Sequence, residues 1–299
     1  MTCYRLIAGA LIAAFALGGT PGFAAGNCDL TATLGPGAQA VYDPFATADT
    51  VLNVTVTAQN RGDSACQARF YVAPLGGELR LTSGANLLAY RIDAPRGGGA
   101  GLPQERGPFV LRVPSNSSSS INIPLIVPAL QVVPRGDYIG QVDVRGIGEG
   151  DEPVSVTAGS AALRIVVPAR TEMSISGTAA PPFSSHSMAP ASIDFGEAVS
   201  GATQRVFVNV WANGSVAVTL SSENHGVLRH QGDSSLPPID YSARFDGMPV
   251  ALGAPFSVQR TPPASLAGAS YPLAITLGNV AGHFAGRYKD IVTVSVDQN

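Results

Sequence analysis

The stretch Gly286-Arg-Tyr-Lys-Asp-Ile-Val-Thr-Val-Ser-Val296 decides the fold of the second half of the chain. Its valines alternate with Thr293 and Ser295, the period of two that is typical of a half-buried β-strand. The pattern therefore predicts a strand with four inward-facing side chains, Tyr288, Val292, Val294 and Val296.

A related stretch occurs earlier, at Gly136-Asp-Tyr138, where valines again follow the tyrosine by four and six residues, at Val142 and Val144. A further apolar alternating run, residues 161–167, follows this first copy and predicts one more strand. After the second copy the sequence has only three residues left, 297–299. We therefore expect the second unit of the repeat to lack its last strand.

The composition favours a fold made of short strands. Of the 299 residues, 34 are Gly and 23 are Pro, which fits many strands joined by turns. Charged residues make up 13% and the formal net charge is −3, so nothing indicates a nucleic-acid partner. We predict an all-β chain of two tandem immunoglobulin-like or pilin-like β-sandwiches, the second of which is incomplete.

The N-terminus has the pattern of a secretory signal peptide. Arg5 precedes an apolar run, residues 6–19, that is shorter than the ~20 residues a membrane helix needs. Small residues favour cleavage after Ala24 or Ala25, so residues 1–25 are predicted to be removed on export. A membrane anchor is the competing interpretation. We expect the mature chain in the periplasm and then at the cell surface.

Composition also divides the mature chain. Residues 178–190 are rich in Ala, Pro and Ser with little periodicity, which predicts a linker. The predicted N-terminal sandwich is then 26–177, and the predicted C-terminal sandwich is 191–299. Within the second sandwich, Asp246-Gly247 lies between two apolar runs and predicts a hairpin turn.

Two cysteines remain after the signal peptide. Cys28 and Cys66 are an even pair in an exported chain, which favours a disulfide. A metal site is the weaker interpretation, because two thiolates alone make a poor zinc site.

The sequence has no constellation typical of an enzyme. It contains no Gly-x-Ser-x-Gly nucleophile motif, and we predict no catalytic residue, cofactor or metal ion. The residues His225 and His230, with Glu223 and Asp233 nearby, could form a metal cluster, but solvated loop residues are the simpler interpretation.

Two loops of the first half are candidates for an adhesive surface. Residues 97–103 include Leu102, and residues 146–150 include Ile147, so each loop places one bulky apolar side chain among glycines. Plain connecting loops are the competing interpretation.

Several motifs occur in the order found in a known family. The sequence resembles the spore coat protein U-like domain, which is found in archaic (Csu-type) chaperone–usher pilus subunits of Gram-negative bacteria. The first copy carries the resemblance at Cys28, Tyr42-Asp-Pro-Phe45, Leu81-Thr-Ser-Gly84 with Tyr90, and Gly136-Asp-Tyr138. The second copy carries it at Ile193-Asp-Phe-Gly196, Gly201, Asn213, Leu220-Ser-Ser-Glu-Asn-His-Gly226 and Gly286-Arg-Tyr-Lys-Asp290. Two departures are that the second copy has no cysteine pair and that the chain ends in Asp297-Gln-Asn299 rather than an aromatic residue.

The resemblance implies sandwiches that are completed by a strand from another chain. A periplasmic pilus chaperone supplies it first, and at the outer-membrane usher the next pilus subunit replaces it. Two-domain members of the family are similar to tip adhesins that bind a surface or host receptor, and they serve in biofilm formation. Since about two or three residues precede Cys28 after cleavage, the chain offers little to donate, which we expect of a tip subunit.

An incomplete sandwich exposes an apolar groove, because its last strand is not there to cover the core. We predict the lining of this groove to include Phe195, Val206, Val208, Tyr288, Val292, Val294 and Val296. In a competing interpretation, residues 193–195 close the sheet themselves. The competing functional hypotheses are a coat or matrix protein with two complete sandwiches, a pilus shaft subunit, and a periplasmic enzyme or binding protein.

Overall fold

A computed structural model of the chain describes residues 27–95, 104–148, 153–157, 159–179, 181–183 and 190–299. Every element it assigns there is a β-strand, which confirms the all-β prediction. No helix in these residues is long and apolar enough to cross a membrane.

The described residues of the first half form twelve strands. They are β1 (Leu30–Leu34), β2 (Ala38–Val41), β3 (Thr50–Asn60), β4 (Cys66–Pro74), β5 (Arg80–Ser83), β6 (Asn86–Ala89), β7 (Arg91–Ile92), β8 (Arg106–Val113), β9 (Ser117–Val127), β10 (Gly136–Ile147), β11 (Pro153–Thr157) and β12 (Ser160–Val167).

The first half buries alternate side chains between two layers of strands. One layer contains β1, β3, β9 and β7, and the other contains β8, β4, β10, β12 and β2, with β5 and β6 at its side. Leu52, Val54 and Val56 of β3 are at most 2% exposed, whereas the residues between them are not buried. The period of two in the sequence thus becomes the inner face of the sheet.

The predicted disulfide is present. Cys28 is bonded to Cys66, the first residue of β4, across a Cα–Cα distance of 5.8 Å. The bond ties the segment before β1 to the layer that contains β4.

Ten strands lie in the part of the second half that the structure describes. They are β13 (Thr171–Ser176), β14 (Thr203–Ala212), β15 (Val216–Ser222), β16 (Val227–His230), β17 (Ile239–Phe245), β18 (Met248–Val250), β19 (Phe256–Arg260), β20 (Ala269–Leu277), β21 (Tyr288–Lys289) and β22 (Val292–Gln298).

The second half has its own hydrophobic core between two sheets. A seven-stranded sheet has the order β13-β14-β20-β17-β16-β21, with β18 on β17, and a three-stranded sheet has the order β19-β15-β22. Val208, Val218 and Phe245 are fully buried in this core.

Strand β13 belongs to the second sheet system, although the predicted linker places residues 171–176 in the first half. It pairs over its whole length with β14, from Thr171 opposite Ala212 to Ser176 opposite Phe207. Its Met173 and Ile175 pack against the second core, which is the physical reason for its position.

The predicted single strand 286–296 is interrupted at Asp290. The Asp290 carboxylate accepts hydrogen bonds from Ser222 Oγ at 2.6 Å and from the Asn224 backbone N–H at 3.0 Å. It also accepts one from the Tyr241 hydroxyl. The chain therefore turns there, and β21 pairs with β16 while β22 pairs with β15.

Candidate strand-acceptor groove

The two halves share the same strand pairings. In the first half β4 lies between β8 and β10, and in the second half β15 lies between β19 and β22. Likewise β3 lies between β1 and β9, as β14 lies between β13 and β20. Each half can therefore serve as a template for the other.

The tyrosine of each copy makes the same local hydrogen bond. Tyr138 donates its hydroxyl proton to the carbonyl oxygen of Pro134 at 2.9 Å, and Tyr288 donates to that of Phe284 at 3.2 Å. Such a tyrosine, bonded to the backbone a few residues upstream, recurs at a corner of immunoglobulin-like sandwiches. The shared bond aligns Tyr138 with Tyr288, and hence Val142 with Val292.

The first half covers the edge of β10 with its own chain. β11 and β12 run antiparallel to β10, while β11 is parallel to β1 and β12 is parallel to β2. They therefore lie between β10 and the pair formed by β1 and β2. Alternate side chains of β12 are at most 3% exposed: Ala161, Leu163, Ile165 and Val167.

The second half leaves the corresponding edges without such a neighbour among the described residues. Among the described residues, the backbone of β22 pairs with β15 alone, and that of β13 pairs with β14 alone. A side-chain hydrogen bond of 2.7 Å from Gln298 Nε2 to Thr171 Oγ1 joins the two strands at one end. We call the strip bordered by residues 171–176 and 292–298 the acceptor groove.

Apolar side chains border the acceptor groove. Val292 and Val296 of β22, with Met173 and Ile175 of β13, are partly buried against the second core. In the first half, Val142 is 0% exposed, whereas its counterpart Val292 retains accessible surface. In the first half β12 covers Val142, whereas the corresponding Val292 of the second half stays partly open.

A cleft lies at each end of the acceptor groove. One has a volume of about 430 Å³ and is lined by residues 175–177, 191–194 and 204–206. The other has a volume of about 520 Å³ and is lined by Asp43 of the first half together with residues 169–172 and 296–298. The second cleft therefore lies where the two halves meet.

Most residues predicted for the groove lie in or against the second core. Val206, Val208 and Val294 are 7%, 0% and 9% exposed, and so lie in the core. Phe195, Val292 and Val296 are partly buried and pack against it.

Tyr288 does not lie with them, which corrects the prediction of one continuous inward-facing set. Its ring packs 5.1 Å from the ring of His230 and 6.4 Å from that of His283. The turn at Asp290 takes Tyr288 into the seven-stranded sheet, whereas Val292 to Val296 belong to the three-stranded one.

Sequence reasoning misses the β13 side of the groove. Met173 and Ile175 border it, and Ile193 packs against the same core. The alternation Met173-Ser-Ile175 is the available signal, but it stands next to the predicted linker, on the side of the first half. Residues 191–195 form no strand, so they do not close the sheet as the competing interpretation requires.

The segment that follows one predicted adhesive loop contacts the strand that precedes the other. Leu102 lies outside the described residues. Ile147 is the last residue of β10, where it is partly buried and pairs with Arg69 and Pro153. Near the bases of the two loops, Arg145 Nε and Nη2 bond to the two carboxylate oxygens of Glu105, each at 3.0 Å.

The histidines of the second half take part in local backbone contacts. His230 Nδ1 accepts hydrogen bonds from the backbone N–H groups of Gly232 at 3.2 Å and Asp233 at 3.0 Å. Within the described ranges, no three His, Cys, Asp or Glu residues are grouped so that they could hold a metal ion.

Comparison with known proteins yields likenesses to solved structures. No family model matches the chain, and no curated protein matches it. One similar structure is a chain of the CsuC–CsuE chaperone–tip adhesion subunit pre-assembly complex from archaic chaperone–usher Csu pili of Acinetobacter baumannii. It is 12% identical, with 91% of this chain and 100% of that chain covered and a TM-score of 0.46.

Two further structures are less similar. A chain of the chaperone–tip adhesin complex of CFA/I fimbriae biogenesis is 12% identical, with 90% of this chain and 84% of that chain covered and a TM-score of 0.37. The C-terminal domain of the AgI/II polypeptide BspA of Streptococcus agalactiae is 9% identical, with 90% and 96% covered and a TM-score of 0.24. Likenesses at this level concern the arrangement of strands alone.

Proposed function

We propose that the chain is a non-enzymatic subunit of a pilus-type fibre, and that another polypeptide completes its second sandwich by inserting a strand. The observation that carries the proposal is the pair of edges on β13 and β22 that lack a neighbour among the described residues, over apolar side chains. The first half holds its own β11 and β12 at the corresponding place. Export through a signal peptide, and a chaperone, an usher and a following subunit as partners, belong to the same proposal.

Physical chemistry favours completion from outside. An unpaired strand edge beside an apolar strip is prone to pair with any available strand, so a protein that displays one needs a dedicated cover. An inserted strand would satisfy the free backbone groups of both edges and bury four or five apolar side chains. At ~1.5–3 kcal/mol for each side chain, the burial would contribute on the order of 10 kcal/mol before ordering costs.

We further propose that the first half carries the adhesive surface of a tip subunit. It needs no donated strand, because β11 and β12 complete it. The bases of the two candidate loops are joined by the ion pair of Glu105 and Arg145. The bound surface would then contact the loops that contain Leu102 and Ile147, at a distance from the strand-accepting half.

Hydrogen–deuterium exchange on the whole exported chain tests the open edge directly. We expect the β22 amides that do not bond to β15 to exchange at least about a hundredfold faster than the corresponding amides of β10. Equal protection of β22 and β10 would mean that the sheet is closed, and the fibre-subunit proposal would fail. That result would favour a coat or matrix protein with two complete sandwiches.

A grafted strand provides a second test. A copy of residues 153–167 appended after Asn299 through a flexible Gly/Ser linker should slow exchange at β22, raise the melting temperature and reduce aggregation. The matched control carries Asp in place of the copied Leu163 and Ile165, which would put charges into the apolar strip. The same melting temperature for both extended chains would count against strand insertion.

A further inference from the structure

The edge of the seven-stranded sheet that lies farthest from the acceptor groove is positively charged. Strands β13 and β21 are the two end strands of this sheet, so the groove is at one end and the ribbon of β16 and β21 is at the other. In the ribbon Arg229 pairs with Lys289. The backbone N–H of Gln231 donates a hydrogen bond of 2.8 Å to the carbonyl oxygen of Arg287, which continues the ladder past β21.

Three cations share the outer face of this ribbon. Arg229 and Lys289 are directly opposite each other, so their side chains point to the same side, and Arg287 lies two positions before Lys289. The intervening His230 and Tyr288 point to the other side, where their rings are 5.1 Å apart. All three cations are exposed, and none makes an ion pair with another described residue. We call Arg229, Arg287 and Lys289 the cationic ribbon.

The cationic ribbon has a cost for folding. Like charges directly opposite each other destabilise a pair of strands, as Arg229 and Lys289 do here. On the neighbouring strand β17, the same face carries one carboxylate, that of Asp240, which is opposite Val227 and forms no ion pair with the cationic ribbon. A local arrangement that opposes folding is typical of a site that binds a ligand. Here the charges that need a partner are positive, so the ligand is an anion.

Positive charge extends from the cationic ribbon across the same face of the sheet. Arg205 of β14 and Arg244 of β17 flank β20 on this face, and both are exposed. From the pair of residues 227 and 240, Arg229 lies two positions in one direction and Arg244 lies four in the other, which is roughly 20 Å along the strands. The outer face of the described strands β19, β15 and β22 carries no cation.

An exposed aromatic ring precedes the cationic ribbon in the chain. Phe284 is 59% exposed and lies three residues before Arg287. The hydroxyl of Tyr288 donates a hydrogen bond of 3.2 Å to the carbonyl oxygen of Phe284. Gly286 lies so close to the ring of His230 that no Cβ fits there. The loop that carries Phe284 is therefore held against the ribbon.

We infer that the cationic ribbon and Phe284 bind an acidic polysaccharide, a polymer of sugars that carry carboxylate groups. A guanidinium group binds a carboxylate through two parallel N–H···O bonds, and an exposed aromatic ring packs against the apolar face of a sugar. A polymer fits better than a single small anion, because the cations of this face are spread over roughly 20 Å. The site lies outside the acceptor groove and does not depend on the proposed function.

An anionic membrane surface offers the same charge as an acidic polysaccharide. Segments that lie on membranes combine several cations with a broad apolar face. Among the described residues 281–291, the large apolar side chains with high exposure are those of Phe284 and Ile291 alone. Two such side chains do not make an apolar face, so the surface favours the polysaccharide.

The single lysine provides a direct test on the unmodified full chain. Lys289 is the only lysine of the 299 residues, so an amine-acetylating ester labels it and the N-terminal amine, and peptide mass spectrometry follows both rates. We expect polygalacturonate to slow labelling of Lys289 about tenfold when its concentration is about ten times the dissociation constant. The N-terminal amine should react at an unchanged rate, and neutral dextran should change neither rate. An unchanged rate at Lys289 with polygalacturonate, or equal slowing with dextran, would overturn the inference.

Calorimetric titration with polygalacturonate separates the cationic ribbon from the overall charge. We expect Arg229→Gln to weaken binding about threefold at low salt. The control Arg112→Gln removes the same charge from an exposed position of β8 in the first half and should weaken binding by less than about 1.5-fold. Equal losses for these two variants would show that only the overall charge matters, and the inference would be wrong.

The aromatic contact has a different salt dependence. We expect Phe284→Ser to weaken binding about threefold through loss of the ring contact. This loss should persist at high salt, whereas the effect of Arg229→Gln should decrease as salt screens the charges. An affinity of Phe284→Ser equal to that of the unmodified chain would remove Phe284 from the inferred site.

Charge reversal at Lys289 should have opposite effects on stability and on binding. In Lys289→Glu a carboxylate faces Arg229, so we expect a higher melting temperature together with an affinity for polygalacturonate about tenfold lower. The higher melting temperature also verifies that the variant is folded. An unchanged affinity would overturn the inference, since the cationic ribbon would then not contact the polymer.

Vesicles of phosphatidylcholine and phosphatidylglycerol test the membrane surface. We expect the full chain to bind them at least about tenfold more weakly than polygalacturonate at the same concentration of negative charge. Tighter binding to the vesicles would overturn the assignment to a polysaccharide. None of these outcomes changes the hydrogen exchange expected at β22, so the inference and the proposed function fail separately.

Discussion

Glu105 is only 4% exposed, and both of its carboxylate oxygens accept hydrogen bonds of 3.0 Å from the guanidinium group of Arg145. The same guanidinium lies 4.6 Å from the centre of the Tyr71 ring. The hydrogen bond to Glu105 raises the pKa of Arg145, so the guanidinium group stays charged over the physiological range. The pair joins β10 to the segment that leads into β8, at the bases of the two candidate adhesive loops.

Removal of the buried carboxylate should therefore destabilise the first half. We expect Glu105→Ala to lower the free energy of unfolding by about 2–3 kcal/mol, less than for a fully buried pair because the Arg145 side chain is 39% exposed. Urea denaturation monitored by far-ultraviolet circular dichroism measures this change.

The control for this variant is an exposed ion pair of the same half. Arg164 and Asp137 lie 2.7 Å apart, with side chains 52% and 51% exposed. We expect Arg164→Ala to cost less than about 1 kcal/mol. Equal losses in the free energy of unfolding for the two variants would show that the burial of Glu105 does not strengthen its ion pair with Arg145.

Asp290 determines where the last strands change sheets. Its carboxylate accepts hydrogen bonds from Ser222, Tyr241 and the backbone of Asn224. Burial, together with the hydrogen bond to Asp290, raises the pKa of Tyr241. We expect Asp290→Asn to lower the free energy of unfolding by about 1.5–3 kcal/mol, because the amide presents one acceptor oxygen instead of two. Thermal and urea unfolding of the full chain measure the loss.

Asp233→Asn is the matched control for the Asp290 variant. Asp233 is exposed, and its carboxylate accepts hydrogen bonds from the backbone N–H and the hydroxyl of Ser235, two residues later. Its replacement should change the free energy of unfolding by less than about 0.5 kcal/mol. A similar loss in both variants would contradict a structural role for the Asp290 network.

The Cys28–Cys66 bond closes a loop with a sequence separation of 38 residues. In the chain-entropy model, closing such a loop stabilises the fold by roughly 3–4 kcal/mol. We expect dithiothreitol, or the double variant Cys28→Ser/Cys66→Ser, to lower the melting temperature of the first half. The second half contains no cysteine, so its unfolding transition should not move, and a shift of both transitions would show that the halves unfold as one unit.

Local patterns in the sequence predict much of this fold. Alternation alone places Leu52, Val54 and Val56 in the core, and Asp246-Gly247 forms the predicted turn with φ values of 51° and 77°. The first-half disulfide is predictable because only two cysteines follow the predicted signal peptide. The alternation and the turn depend on neighbours along the sequence, and the disulfide follows from the number of cysteines. None of these predictions needs contacts between distant residues.

The remaining features depend on contacts between residues far apart in the sequence. Tyr288 leaves the inner set because Asp290 bonds to Ser222 and Tyr241, which lie 68 and 49 positions away, and alternation cannot reveal this. Strand β13 pairs with β14, which lies beyond the predicted linker, and this pairing between distant segments also has no local signal. The parallel pairing of β11 with β1 likewise has no local signal, so the full covering of β10 could not be anticipated.

Tyr90 should make the fold sensitive to alkaline pH. Its side chain is 4% exposed, and burial raises the pKa of its phenol to about 12. The unfolded chain ionises the same group near pH 10, so its contribution to stability is complete below pH 10 and is lost as the pH rises to 12. A shift of this size corresponds to a loss of about 2–3 kcal/mol over that interval.

The variant Tyr90→Phe has no ionisable group at this position and should lack that part of the alkaline loss. Burial also raises the pKa of Tyr42 and Tyr138, so a smaller pH dependence will remain in the variant. Urea unfolding at several pH values between 8 and 12 compares the two chains, with Tyr288→Phe as a control at a partly exposed tyrosine. If the wild-type chain and Tyr90→Phe lose stability equally between pH 10 and 12, the buried phenol is not the cause, because only its ionisation distinguishes them.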